Sequence, residues 1–254
     1  MEQTDVTALG ELLIDFTECG SSHQGNPLYE ANPGGAPCNV LAMLAKLGRS
    51  TAFIGKVGND FFGQQLKNAI EGVGICADYL YMDNNVHTTL AMVHTFPDGD
   101  RDFSFYRNPG ADMMLSSEEI PVEKLKNTKI FHFGTLSMTH SGVRCATKKA
   151  LETAKEAGAL ISFDPNIRME HMKEAEDYDI IQEVVKATNV FLPGKSELRL
   201  LTGEEDIEKA VKKCFDYPDM EIVVLKNGSK GSTIYTRDAQ FEMGAYPVEA
   251  LDAT

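Results

Sequence analysis

Apolar residues along the chain follow two patterns in turn, short continuous runs and repeats at helical spacing, and that alternation predicts an α/β fold. Asp5–Phe16 is rich in β-branched and apolar residues and reads as a buried strand. Gly34-Gly35 then opens Ala36–Leu47, whose apolar positions recur at helical spacing and which Gly48 closes. Thr51–Val57 reads as the next buried strand and Asp60–Gly72 as an amphipathic helix with Asp60 at its N-cap. From Tyr79 to Tyr106 the helical period disappears. Thr88–Phe96 and Arg101–Tyr106 flank the turn residues Pro97-Asp98-Gly99-Asp100 and predict an inserted hairpin. Alternation then resumes, with strands over Lys129–Phe133, Leu160–Phe163 and Asn189–Leu192 and helices over Gly142–Ala157, Ala175–Ala187 and Ile207–Phe215. A mostly parallel sheet is the product. Ile222–Leu225 and Gly231–Thr236, either side of Asn227-Gly228, predict an antiparallel pair at its far edge.

Composition narrows the class of partner. The 254 residues, 43% of them hydrophobic and 24% charged, suffice for one domain with a sizeable core. Asp and Glu number 38 against 24 Lys and Arg, a net charge of −14, which has the wrong sign for nucleic acid or an anionic membrane. Neither is expected as a partner. No apolar run is long enough to span a bilayer, and Met1-Glu2-Gln3-Thr4-Asp5 lacks a basic leader. Five scattered cysteines without a Cys-x-x-Cys pair argue against a disulfide framework or structural zinc and place the protein in a reducing cytoplasm. The six histidines show no ligand spacing and read as surface or core residues.

Three segments carry candidate chemistry. Asn32-Pro33-Gly34-Gly35-Ala36-Pro37-Cys38-Asn39 runs into a helix, so backbone N–H groups can approach a ligand there and Asn39 can offer an amide; a tight turn capping the helix explains the same residues. Ser162-Phe163-Asp164-Pro165-Asn166-Ile167-Arg168 places polar groups just past a buried strand, where open α/β sheets bind ligands. Arg168 there is either a clamp for phosphate or the exposed arginine of an Asp-Pro turn. Asp15, ending the first strand, faces the same side and should converge with Gly35, Asn39 and Arg168. Asn189–Ser196 lacks the leading glycine of a Walker A loop; a buried strand ending at Pro193 accounts for it and leaves Glu197 at a helix start, as a holder of a Mg²⁺-bound water or a plain helix-start carboxylate.

Together, Gly34-Gly35-Ala36-Pro37-x-Asn39, Leu47-Gly48, Phe53-Ile54-Gly55-Lys56-Val57-Gly58-Asn59-Asp60-x-x-Gly63 and Asp164-Pro165-Asn166-x-Arg168 resemble the ribokinase-like (PfkB-type) sugar kinases, from Ala8 to Thr254. Glu11–Phe16, Phe103–Arg107 with Ala111-Asp112, and Ser162–Arg168 look most like fructokinases. The resemblance implies a three-layer α/β/α domain over residues 1–254, with a small β-sheet lid formed by segments 12–18 and 78–107. It implies that Asp15, Gly34, Gly35 and Asn39 bind sugar hydroxyls, that Tyr106 and Arg107 reach in from the lid, and that Arg168 acts near the transferred phosphate. Lys226, Gly228 and Gly231 would line the nucleotide site. ATP and Mg²⁺ are the implied cofactors, with Glu197 in the metal's water shell and K⁺ as a monovalent cation at Asp252. A homodimer through the lid is the expected oligomer. Fructose is the expected substrate, 2-keto-3-deoxygluconate the runner-up.

Two departures from the family pattern matter. Gly194 stands where the family's Asn-x-x-Glu motif has asparagine, which weakens the inference for Glu197. Asp252-Ala253-Thr254 resembles only the opening of the Asp-x-Thr-Gly-Ala-Gly-Asp motif, whose Gly-Ala-Gly supplies an anion hole and whose last Asp is the catalytic base. Residues 1–254 by themselves are therefore expected to be inactive, and a chain truly ending at Thr254 would be a non-catalytic sugar-binding protein.

Overall fold

In the computed structural model, which describes residues 3–95, 101–167 and 175–246, the first apolar run is two strands rather than one. β1 (Thr4–Leu9) and β2 (Leu13–Ser21) lie in different sheets. The single strand expected over Asp5–Phe16 is broken at Gly10-Glu11, where Gly10 N–H donates to Ile54 O at 3.3 Å and Glu11 buries its carboxyl. β3 (Pro27–Gly34), mostly exposed, pairs antiparallel with β2. Its polar sequence gives no strand signal, and its prolines suit an edge strand.

α1 (Ala36–Lys46), β4 (Thr51–Gly58), α2 (Phe61–Gly72) and β5 (Cys76–Asp83) follow. Asp78–Tyr81 was expected in the lid; instead β5 pairs parallel with β4 at the edge of the main sheet. The physical reason is the βαβ unit itself, in which a helix with short connections returns the chain beside the strand it left. β6 (Leu90–Thr95) and β7 (Arg101–Tyr106) form the expected hairpin, its Pro97–Asp100 turn lying outside the described residues. They join β2 and β3 in a four-stranded sheet of order β3-β2-β6-β7.

The remaining elements are α3 (Val122–Lys126), β8 (Thr128–Gly134), α4 (Ser141–Glu156), β9 (Leu160–Asp164), α5 (Ala175–Lys186), β10 (Val190–Phe191), α6 (Lys195–Thr202), α7 (Ile207–Cys214), β11 (Ile222–Lys226), β12 (Ser232–Tyr235) and β13 (Gln240–Met243). The main sheet has nine strands in the order β13-β12-β11-β10-β9-β8-β1-β4-β5, parallel except for the antiparallel edge that β12 and β13 add to β11. Alternate residues fill two cores. Leu9, Ile54, Phe131 and Phe133 pack with α4 to α7, whereas Val6, Ala8, Phe53 and Val57 pack with α1 and α2. This is the expected three-layer arrangement.

Two devices fix the sheet under the site. Phe131, Phe133, Phe163 and Phe191 are fully buried and run across β8, β9 and β10 with successive ring centroids 5.5, 5.1 and 6.2 Å apart. Burying each contributes about 1.5–3 kcal/mol, so the strand ends are held in register. Asp60 caps α2 by accepting from Gly63 N at 2.8 Å, and also accepts from Thr88 N at 2.9 Å and the Thr88 hydroxyl at 2.7 Å. The Gly58-Asn59-Asp60-x-x-Gly63 motif thus ties the turn after β4 to the segment that enters the small sheet. Among the described residues no helix is long and apolar enough to cross a membrane.

Candidate active site

The C-terminal ends of β9, β10 and β11 bring three charged side chains together. Asp164 ends β9, Lys226 ends β11, and Glu197 lies in the first turn of α6. Lys226 Nζ donates to Asp164 Oδ1 at 2.5 Å and lies 4.0 Å from Glu197 Oε2. Glu197 Oε2 accepts from Gly194 N at 2.7 Å and Oε1 from Ile167 N at 2.8 Å. Glu197 is therefore a helix-start carboxylate that also staples the segment after β9 to α6. Because the bond is made by a backbone N–H, Gly194 supplies it as well as the family's asparagine would. Asn166, at φ 38°, turns the chain between Asp164 and Ile167. Arg168 lies outside the described residues, as does Asp252.

His132, passed over in the sequence as a filler, lies beneath this cluster. Its Nδ1 is 3.0 Å from the Ser162 hydroxyl, and burial, followed by the Lys226 charge, lowers its pKa to about 4. The ring is neutral at physiological pH. Beyond Lys226 the chain passes through Gly228 (φ 58°) and Gly231 (φ 89°), where a side chain would strike Met243 O at 1.9 Å. An open cavity of about 280 Å³ adjoins this turn, lined by Lys195, Asn227, Lys230, Thr233 and Glu242 among others. Asn227 donates to Thr233 Oγ1 at 3.0 Å, while its own Oδ1 is buried without a partner. Among the described residues no three His, Cys, Asp or Glu side chains gather closely enough to hold a metal by themselves.

At the small sheet, Asp15 and Gly34 are brought together. Asp15 is buried, and a Cβ on Gly34 would lie 2.0 Å from its Oδ2. Gly35, at φ 122°, caps α1 over the backbone of Glu11, whose carbonyl oxygen a side chain would meet at 2.4 Å. These glycines allow a close approach that no other residue permits. Asn39, one turn into α1, is exposed and opens on a cleft of about 200 Å³ bounded by Gly34, Leu12, Pro33, the α2 residue Ile70 and Val73 just past that helix. Asn39 and Gly34 thus line one cleft beside α2.

Strand register puts the two aromatics Phe105 and Tyr106 on opposite faces of the small sheet. Asp15 pairs with Ala91 and Ala91 with Phe105, whereas Tyr106 pairs with Leu90. Side chains alternate along a strand, so Phe105 shares a face with Asp15 and Tyr106 projects from the other, two-thirds exposed at 66%. Phe105 stacks on Phe103 with centroids 6.0 Å apart. Arg107 is not extended toward solvent. Its Nε donates to Asp112 Oδ2 at 2.7 Å, NH1 to Thr139 Oγ1 at 3.2 Å and NH2 to Leu136 O at 3.1 Å, with NH2 also 2.7 Å from Asp112 Oδ2. Glu11 is a further buried carboxyl that the motif contained and sequence reasoning left without a role; it accepts from Ala36 N at 3.0 Å.

A lysine and two carboxylates thus gather at the C-terminal end of a parallel sheet, beside a small sheet that carries a buried aspartate. Residues 3–254 match the pfkB family of carbohydrate kinases, and the chain belongs to that family. It is 36% identical over 252 residues to Fructokinase-2 of Solanum habrochaites, an alignment that covers 98% of this chain and 77% of that protein. Its fold superposes with a TM-score of 0.89 on a putative Ribokinase II from E. coli in complex with ATP and Mg²⁺, at 29% identity over 98% of this chain and 80% of that one. A fructokinase double mutant from Vibrio cholerae O395, in a fructose-, ADP- and potassium-bound form, gives 0.88 at 28% identity over 100% of this chain and 80% of that one. The protein is a carbohydrate kinase with a ribokinase-like fold.

Proposed function

We propose that the reaction is the ATP-dependent phosphorylation of fructose on a primary hydroxyl at the C-terminal end of the main sheet. The observation that carries this reading is the 36% identity to a fructokinase across 98% of the chain. Asp15 offers its carboxylate to sugar hydroxyls, Gly34 and Gly35 let backbone approach the sugar, and Asn39 adds an amide. Phe105, on the Asp15 face, takes the place proposed for Tyr106 and supplies an apolar wall. Arg168 belongs to the proposal through the family resemblance, as the cation near the transferred phosphate. The small sheet acts as a lid that excludes water from the transfer.

The nucleotide side fits a phosphate-bearing ligand. Lys226 is the cation, and Lys195 and Lys230 line the adjoining cavity. ATP supplies the phosphoryl group, and Mg²⁺ neutralises its charge. Each Glu197 oxygen holds one backbone N–H and keeps a second lone pair, which suits a water of a hard, oxygen-preferring cation. Asp252 is the proposed site for K⁺.

The state of Arg107 favours fructose over 2-keto-3-deoxygluconate. A guanidinium has about five N–H donors, and those facing Asp112, Thr139 and Leu136 are already engaged. One N–H can serve a hydroxyl, whereas a substrate carboxylate needs the paired fork that Asp112 occupies. A coupled ATP-consumption assay across a panel of sugars tests the reading. Fructose should turn over fastest; faster turnover of 2-keto-3-deoxygluconate would overturn it, and sugar binding without turnover would favour a non-catalytic protein. We also infer a homodimer through the lid, supported by Leu28 and Tyr29 on the edge strand β3, 48% and 43% exposed. Sedimentation of Tyr29→Glu as a monomer checks it.

A further inference from the structure

Four crossings join the small sheet to the main body: residues 10–12 between β1 and β2, residue 35 between β3 and α1, residues 84–89 between β5 and β6, and residues 107–110 after β7. The first, third and fourth each bring a polar side chain to one buried region. Asp112, in the 3₁₀ turn Ala111–Met114, is at its centre. Its Oδ2 binds Arg107 from the last crossing, and its Oδ1 accepts the hydroxyl of Thr89 from the third at 2.5 Å. Glu11, on the first crossing, is close enough to feel the charges of both Asp112 and Arg107, and it holds the N–H of Ala36, which follows the second. Thr139 and Leu136, just past β8, anchor Arg107 to the main body.

The side chains of Arg107 and Asp112 are 2% and 3% exposed. A buried ion pair is a poor way to add stability, since apolar residues of similar volume serve as well. What it does fix is geometry. Two crossings bonded to one carboxylate cannot move apart without breaking its bonds.

We propose that Asp112, aided by Thr89, is a positioning residue of the kinase: it ties the third hinge crossing to the fourth so that the lid closes to one depth over the sugar and Arg107 is held at one setting. The proposal rests on the sugar-kinase reading of the lid. Steady-state kinetics with sugar and ATP varied separately, together with thermal melts, test it on protein in which the family's Gly-Ala-Gly-Asp follows Thr254, as wild type and as Thr89→Val, Asp112→Asn and Asp112→Glu. Thr89→Val, which removes one hydroxyl and retains the buried charges, should raise the KM for fructose about threefold to tenfold while the KM for ATP stays within about twofold. Asp112→Asn should raise the fructose KM further, and Asp112→Glu should recover part of the loss. If Asp112→Asn does not fold, Thr89→Val decides alone. Variants that only melt earlier, with both KM values unchanged, would overturn the proposal. If the wild type prefers another sugar, the fructose assignment fails separately, and the same split read with that sugar still decides the role of Asp112.

Discussion

Lys226 Nζ lies 2.5 Å from Asp164 Oδ1, so the last residues of β11 and β9 are tied together across the two-residue strand β10. The lysine side chain is 41% exposed. An ion pair so open to water contributes no more than about 1 kcal/mol to stability. Lys226→Met is therefore expected to melt close to the wild type. Its KM for ATP, however, should rise about tenfold or more, because a charge-assisted phosphate contact is lost. An unchanged KM for ATP would remove Lys226 from the nucleotide site.

Gly34 allows the Asp15 carboxylate to lie where a side chain would be, 2.0 Å from the Cβ position. Gly34→Ala must push that carboxylate aside. Sugar affinity should fall about tenfold, roughly 1.4 kcal/mol, with ATP affinity unaltered. Calorimetric titration with fructose and, separately, with ATP measures both, and Asp15→Asn should give the same pattern. Equal loss for the two ligands would point to general misfolding instead.

The register of the small sheet separates two adjacent aromatics. Phe105→Ala should weaken sugar binding by about 1–3 kcal/mol, as loss of a buried aromatic wall does. Tyr106→Ala, on the opposite face and exposed, should change it by less than about 0.5 kcal/mol. The reverse order would mean that Asp15 and the sugar lie on different faces of the lid.

The sequence pattern carried the helices and buried strands because their periodicity is imposed by a core on both sides of the sheet, as at Phe53 and Phe131. It singled out Gly34 and Gly35 because a glycine pair before a helix permits close approach, although a tight turn capping that helix explains the same pair. β3 escaped because an exposed edge strand containing Pro27 and Pro33 has no hydrophobic face to report. β5 was misplaced because Asp78–Tyr81 is too short a run to say which sheet it joins; only the α2 crossover decides that. Phe105 and Tyr106 differ by one position, and only the pairing partner reveals which face each takes. The Asp112 cluster was illegible for a different reason. Glu11, Thr89, Arg107 and Asp112 are scattered over 100 positions and meet only when the four crossings are folded together.

Burial pushes the Glu11 carboxyl up to about 7 from an ordinary value of 4.5; the Ala36 N–H and Arg107 oppose the shift and Asp112 adds to it. Cys38, the other group facing Glu11, has its own pKa raised by burial and stays a neutral thiol. Between these two pH values the folded protein holds a proton on Glu11 that the unfolded chain releases. Stability from this group is therefore present below pH 4.5 and lost as pH rises toward 7, by up to ~3 kcal/mol. His132 has the opposite slope: its pKa is lowered from 6.5 to about 4, so its contribution is intact above 6.5 and lost as pH falls toward 4. The two slopes oppose one another where they overlap, and the wild-type curve alone conceals both. Glu11→Gln keeps an acceptor for the Ala36 N–H and removes the titration. Chemical denaturation at pH 5 and pH 8 should show this variant gaining on the wild type by about 2 kcal/mol or more at the higher pH. A difference that stays flat would show that Glu11 is ionised in the folded protein throughout this range.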